Sequence, residues 1–217
     1  MRIKFWGTRG TRPTPGRRTL RYGGNTPCLE VRDSANNLII VDSGSGIAEL
    51  GSGFSPTEPL QAHLLITHTH LDHIQGFPFF LPAFVPGTHL TIVGPAGSAK
   101  SLQAAFADQM DPAYFPVRLD HMPAEMEFIE RNPGETFEVG AVRITPLPVP
   151  HQSPVGLLET LPTLPILSSD YPHFEGNGEP MGHYDKELAS VPDEARAQFL
   201  GDNLAACFVR MGDPITR

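Results

Sequence analysis

The stretch Ala62-His63-Leu64-Leu65-Ile66-Thr67-His68-Thr69-His70-Leu71-Asp72-His73 decides how this chain is read. Residues 62–66 are a short apolar run of the kind that forms a buried strand. Just beyond it, three of the nine histidines fall within six positions, interleaved with an aspartate. On extended backbone, residues i and i+2 project to the same side, so His68 and His70 can grip one ion. Asp72 and His73 then point toward a second position close by. Imidazole suits zinc, copper or iron, and a carboxylate adds a harder donor, so one or two ions of Zn2+, with Mn2+ or Fe2+ admissible, are expected. Two metals roughly 3.5–4 Å apart would share a water and bring its pKa toward neutrality. A strand end is also where open α/β sheets build their sites.

Outward from this loop the chain reads as strands separated by glycine and proline turns. Residues 2–6 form an opening strand, and 28–32 alternate apolar and polar as a half-buried strand does. Residues 38–41 make a buried strand that ends at Asp42, ahead of the turn Ser43-Gly44-Ser45-Gly46. A strand follows near 90–93, then a helix from Ser98, as its cap, to Gln109 with Leu102, Ala105 and Phe106 on one face. Further strands are expected at 126–130, 136–139 and 141–149, with His151 just after the last. A strand near 164–168 and helical material around 185–210 complete the reading.

The bulk properties narrow the class. With 217 residues, 40% hydrophobic and 18% charged, the chain suits one globular domain, or one domain and a fragment of another. Its 23 prolines argue against long uninterrupted helices. The net charge is −8, yet eight of the 16 lysines and arginines lie within residues 2–32. That basic stretch could receive an anionic substrate or simply be a solvated loop. Nothing supports a general nucleic-acid-binding domain. The longest apolar stretch, residues 77–85, is too short for a bilayer and is broken by Pro78 and Pro82, so no membrane partner is expected. The N-terminus lacks the apolar run of a signal peptide, and a cytoplasmic location is the expectation. Cys28 and Cys207 make no CxxC motif and no disulfide framework, and Cys28 reads as a small buried hydrophobe.

Residues 1 to about 151 resemble the metallo-β-lactamase-fold hydrolases, in particular the cyclic-phosphate and cyclic-nucleotide phosphodiesterase branch related to the tRNA-processing nucleases. The pieces that carry the resemblance are Phe5-Trp6-Gly7-Thr8-Arg9-Gly10, Tyr22-Gly23-Gly24-Asn25-Thr26-Pro27-Cys28, Val41-Asp42-Ser43-Gly44-Ser45-Gly46 and Thr67-His68-Thr69-His70-Leu71-Asp72-His73. Gln109-Met110, Tyr114-Phe115-Pro116-Val117 and Pro150-His151 continue it. The resemblance implies an α/β fold, a four-layer αββα sandwich. It implies that His68, His70 and His151 hold a first metal and that Asp72 and His73 hold a second. Asp42 would be the structural acid that supports the metal loop, or else an ordinary strand-end turn aspartate. His63, His89 and His121 match no site element and read as structural. The implied activity is hydrolysis of a small-molecule or nucleotide phosphodiester by a metal-activated water, with Asp72 orienting or deprotonating it. Arg9, Arg12 or Asn25 would help hold the phosphate, and a homodimer is compatible with all of this.

The resemblance changes character after residue 156. Leu167-Ser168-Ser169-Asp170-Tyr171-Pro172-His173-Phe174-Glu175-Gly176, Met181-Gly182-His183-Tyr184 and Gly201-Asp202-Asn203 resemble the C-terminal end of metal-dependent amidohydrolases. Those are (β/α)8 barrels of about 250 residues, which a segment this short cannot form. The chain therefore reads as a hydrolase domain over 1–156, its second half shortened or replaced, joined to an amidohydrolase-like segment over 157–217. It is either a fusion or an assembly artefact. In amidohydrolases the aspartate matching Asp170 is a metal ligand or proton acceptor. Here Asp170 would take the place of the bridging aspartate the phosphodiesterases carry. Two alternatives stand beside the phosphodiesterase: a catalytically incomplete metal-binding remnant, and an amidohydrolase-type C–N or C–C bond hydrolase or decarboxylase.

Overall fold

A computed structural model describes residues 1–20, 22–148 and 188–198. The chain divides into two compact units, Met1–Leu147 and Pro148–Arg217.

The first unit is built on a six-stranded sheet in the order β1-β2-β3-β4-β5-β6. The strands are β1 (Arg2–Gly7), β2 (Cys28–Arg32), β3 (Leu38–Val41), β4 (Gln61–Leu65), β5 (His89–Pro95) and β6 (Glu125–Arg131). The β1–β2 and β2–β3 pairs are antiparallel, and β3 to β6 run parallel. Parallel neighbours need crossover connections. These are supplied by α1 (Gly46–Ser52), by α2 (Leu71–Ile74) with two 3-10 turns, and by α3 (Leu102–Gln109).

Alternation along the strands sends Leu38, Ile40, Ala62, Leu64, Leu90 and Ile92 to one face, where they form a single core with Ile47 and Leu50 of α1 and Leu102 and Phe106 of α3. Phe77 stacks edge-on against Phe106 with ring centroids 4.8 Å apart, and both are fully buried. Each such side chain contributes roughly 1.5–3 kcal/mol by leaving water. A second, two-stranded sheet pairs β7 (Phe137–Val139) with β8 (Val142–Ile144). A helical layer, a mixed sheet and the start of a second sheet constitute the α/β, αββα-type architecture expected.

Two expectations are corrected. The helix expected from Ser98 begins at Leu102, with Ser101 as its cap accepting from the Ala104 amide at 3.2 Å. The reason is tertiary: Glu130 of β6 accepts the Leu102 amide at 2.7 Å and fixes where the first turn starts. Of the strand expected over 141–149, the described residues, which run to 148, form only Val142–Ile144. The strand expected near 164–168 lies outside the described residues. Within the expected helical region, the described part contains α4 (Asp193–Ala197). Among the described residues no helix is long and apolar enough to cross a membrane.

Candidate functional site

Parallel pairing places Val41 opposite Leu65, so the chain leaves β3 and β4 side by side at one edge of the sheet. Asp42 follows Val41 in a left-handed backbone conformation, φ 59°. Aspartate tolerates that region better than most residues. Its amide still donates to Leu65 O at 2.8 Å, while its side chain turns toward the histidine loop. The loop closes onto the turn after Asp42 through Ser43 N to His73 O, 2.7 Å, and Gly76 N to Ser43 O, 2.9 Å. This approach is too close for side chains. A Cβ on Gly44 would sit 2.3 Å from Asp72 O, and one on Gly76 would sit 2.0 Å from Gly44 O.

Asp42 is 5% exposed and accepts three donors. Thr67 gives its amide to Oδ1 at 2.8 Å and its hydroxyl to Oδ1 or Oδ2 at 2.9 and 3.0 Å. His73 Nδ1 lies 2.8 Å from Oδ2. Since a carboxylate can only accept, this bond assigns the His73 proton to Nδ1 and leaves the lone pair on Nε2. Nε2 is 3.5 Å from Asp72 Oδ2. Thr67 Oγ1 also lies 3.1 Å from His68 Nδ1. With its own proton on Asp42, the hydroxyl accepts from that nitrogen, which turns the lone pair of His68 to Nε2 as well. Fixing one imidazole nitrogen by a carboxylate or hydroxyl so that the other can ligate is how outer groups tune metal sites.

The rings of His68 and His70 lie 4.5 Å apart at 75°, and those of His68 and His73 lie 4.1 Å apart. The extended i, i+2 geometry therefore extends only to His70. At Leu71 the chain turns into α2, with His73 N bonded to His70 O at 2.9 Å, and this folds His73 back over His68. Asp72, 7% exposed, receives the Thr11 amide on Oδ2 at 2.8 Å from across 61 residues. The structure thus gathers His68, His70, Asp72, His73 and Asp42 at one edge. His151 and Asp170 lie outside the described residues. Among the described residues, no three His, Cys, Asp or Glu side chains surround one common ion position. The donor chemistry nonetheless fits a divalent transition ion: the imidazoles of His68 and His73 with their Nδ1 atoms already committed, next to a carboxylate.

Other candidates fall elsewhere. Asn25 ties loops together with its side chain, donating to Glu49 at 3.0 Å and accepting from Ser45 at 3.0 Å. Arg9 and Arg12 belong to the loop that reaches Asp72 through Thr11. Burial lowers the pKa of His63, and His89 pairs with Glu125 at 3.1 Å. The Cys28 thiol is pushed up by burial first and then by the charges of Asp42 and Glu30, which keeps it protonated and inert. Sequence reasoning missed two residues. Thr67 could have been suspected from its place between strand and first histidine. Nothing in the sequence signals Thr11.

Several known proteins are similar to this chain. Ribonuclease Z of Staphylococcus carnosus is 28% identical over 132 residues, which is 59% of this chain and 42% of that protein. The chain thus spans less than half the length of this relative. A solved structure described as a new diphosphatase from the PhnP family aligns with TM-score 0.48 and 17% identity, covering 69% of this chain and 58% of that one. The Zn2+-bound PqqB of Methylobacterium extorquens aligns with TM-score 0.47 and 16% identity, covering 69% and 56%. The sequence profile of the beta-lactamase superfamily domain matches residues 38–166, a stretch that takes in Asp42 and the whole histidine loop. With more than half its length inside that match, the chain belongs to the beta-lactamase superfamily domain family.

Proposed function

We propose that this protein is a metal-dependent phosphodiester hydrolase acting on a small-molecule or nucleotide substrate. The observation that carries the reading is the relay Asp42–His73–Asp72 alongside His68, in which a buried acid orients an imidazole whose other nitrogen faces a second carboxylate. The partners of Asp42 come from another strand end and include an imidazole that can ligate, which supports a metal or catalytic role. The matched ribonuclease, an enzyme of phosphodiester cleavage by its name, points the same way.

In this reading His68, His70 and His151 would hold one ion and Asp72 and His73 a second, with Asp170 offered to both. Zn2+ is the preferred ion, with Mn2+ or Fe2+ also suited. When bound, the ions supply Lewis acidity and a water of lowered pKa. The chain's own groups do the rest. Asp42 and Thr67 keep the imidazoles in the ligating tautomer. Asp72 orients the attacking water and takes its proton as the new P–O bond forms and the ester P–O bond breaks. The proton then goes to the departing alcohol.

The test is metal quantification on the full chain together with hydrolysis of bis(p-nitrophenyl) phosphate. Turnover that rises with added Zn2+, Mn2+ or Fe2+ is expected. A chain that binds metal but never turns over would instead be the incomplete remnant, and cleavage confined to C–N bonds would favour the amidohydrolase reading. We also propose that 1–156 forms the hydrolase domain and 157–217 a separate segment that lends Asp170 to it. If Asp170→Ala keeps the parent's metal stoichiometry and affinity, that assignment is wrong.

A further inference from the structure

The loop between β1 and β2 opens with a strained turn aimed at Asp72. Arg12 N donates to Gly10 O at 2.8 Å, closing a three-residue turn around Thr11, whose φ is 69°. A γ-turn with positive central φ is rare and strained, and a β-branched residue is among the worst suited to it. The strain is held in place from both sides. Thr8 N and Arg9 N both donate to Asn25 O, at 3.0 and 2.9 Å, and Thr14 N donates to Gly24 O at 2.8 Å. Asn25 is itself fixed by Ser45 and Glu49. What the turn delivers is one hydrogen bond, Thr11 N to Asp72 Oδ2 at 2.8 Å. No hydrogen bond to Oδ1 of Asp72 is formed among the described residues. Strain over-determined by its surroundings is a pointer to function, and here it ends on a proposed metal ligand. Thr11 lies outside the stretch matched by the family profile, so this observation is independent of that match.

We propose that the Thr11 backbone amide is a positioning group for Asp72, holding Oδ2, the oxygen 3.5 Å from His73 Nε2, and so fixing the carboxylate's orientation toward the metal and the attacking water. This deepens the phosphodiesterase reading and rests on it. A carboxylate rotates easily about its last torsion. A rigid amide on one oxygen removes that freedom and leaves the carboxylate preorganised beside His73.

The test replaces Thr11 by its α-hydroxy acid in the full chain, which turns the amide N–H into an ester oxygen and leaves side chain and turn in place. Thr11→Pro also lacks the N–H, but its ring cannot adopt φ 69° and would break the turn, so the ester chain is the deciding variant. Zinc affinity of the metal-stripped chain is read by calorimetry, kcat and KM with bis(p-nitrophenyl) phosphate, and the metal-free melting temperature by circular dichroism. Zinc affinity and kcat should each fall about 10- to 100-fold, with KM and the metal-free melting temperature little changed. An ester chain that matches the parent in zinc affinity and kcat overturns the positioning role, and so does one in which only KM rises. If the parent itself binds no zinc, the metal reading fails and this inference fails with it. A parent that binds zinc while the ester chain behaves identically sinks the role of Thr11 alone.

Discussion

Two aspartates stand at opposite ends of β3, and they do opposite jobs with the same chemistry. Asp33 precedes the strand and Asp42 follows it, and they are 8% and 5% exposed. Both carboxylates are filled with donors. Those of Asp33 are mostly local: Ala35 N at 2.9 Å, Asn37 N at 2.8 Å and Asn37 Nδ2 at 2.8 Å, joined by one distant donor, Ala141 N at 3.2 Å. Those of Asp42 come from residues 25 and 31 positions away, and one of them is an imidazole. A buried acid whose partners belong to its own turn stabilises that turn. A buried acid whose partners arrive from another strand end, and can themselves ligate, organises a site. Burial alone does not separate the two cases, whereas the range and chemistry of the partners do.

The sharpest way to break the comparison is to remove what Asp42 organises. His68→Ala should reduce phosphodiester turnover by about a thousandfold or more, several kcal/mol of transition-state stabilisation, while the far-ultraviolet spectrum stays that of the parent. Unchanged turnover would rule out hydrolysis through this loop. Asp42→Asn keeps the shape but removes the charge that holds the His73 tautomer. Metal affinity by titration should then drop about 10- to 100-fold, and a drop no larger than that of the matched Asp33→Asn variant would erase the distinction between the two acids.

Asp33→Ala should act in the other direction. It strands several amides of the 33–37 turn and the Ala141 amide at the β7–β8 hairpin, so the melting temperature should fall by roughly 5 °C, while turnover by the folded fraction stays at the parental level. A loss of turnover out of proportion to unfolding would place Asp33 in the site after all.

The smallest effect is in the pH dependence. Asp33 is lowered to about 2, first by the Asn37 side-chain hydrogen bond and then by the backbone amides. A depressed carboxylate contributes stability that is fully present above its ordinary value near 3.8 and is lost as pH falls through the folded value. The gap in melting temperature between the parent and Asp33→Ala should therefore be constant above about pH 4 and close as pH approaches about 2. A gap that persists undiminished at the acid end would show that the stabilisation does not come from the ionised carboxylate.

Much of this was legible in the sequence, and for physical reasons. Continuous apolar runs and strict alternation determined β2 and β3 to the residue, because burial on one or both faces leaves a pattern that needs no distant information. The histidine loop could be recognised from spacing alone, since ligand types packed so densely at a strand end have few structural uses. Asp42 could be singled out as a strand-end acid before a glycine turn. What it binds could not be read there, because its partners are brought in by the parallel pairing of β3 with β4. The start of α3 was ambiguous for the same kind of reason: Ser98 and Ser101 offer the same cap chemistry, and Glu130, 28 residues beyond Leu102, chooses between them. The fold of His73 back over His68 and the amide of Thr11 on Asp72 were decided only in three dimensions. Composition and local pattern specify which residues can do chemistry. Only the packing of one strand end against another, with a loop strained into contact from 61 residues away, decides which atoms face one another.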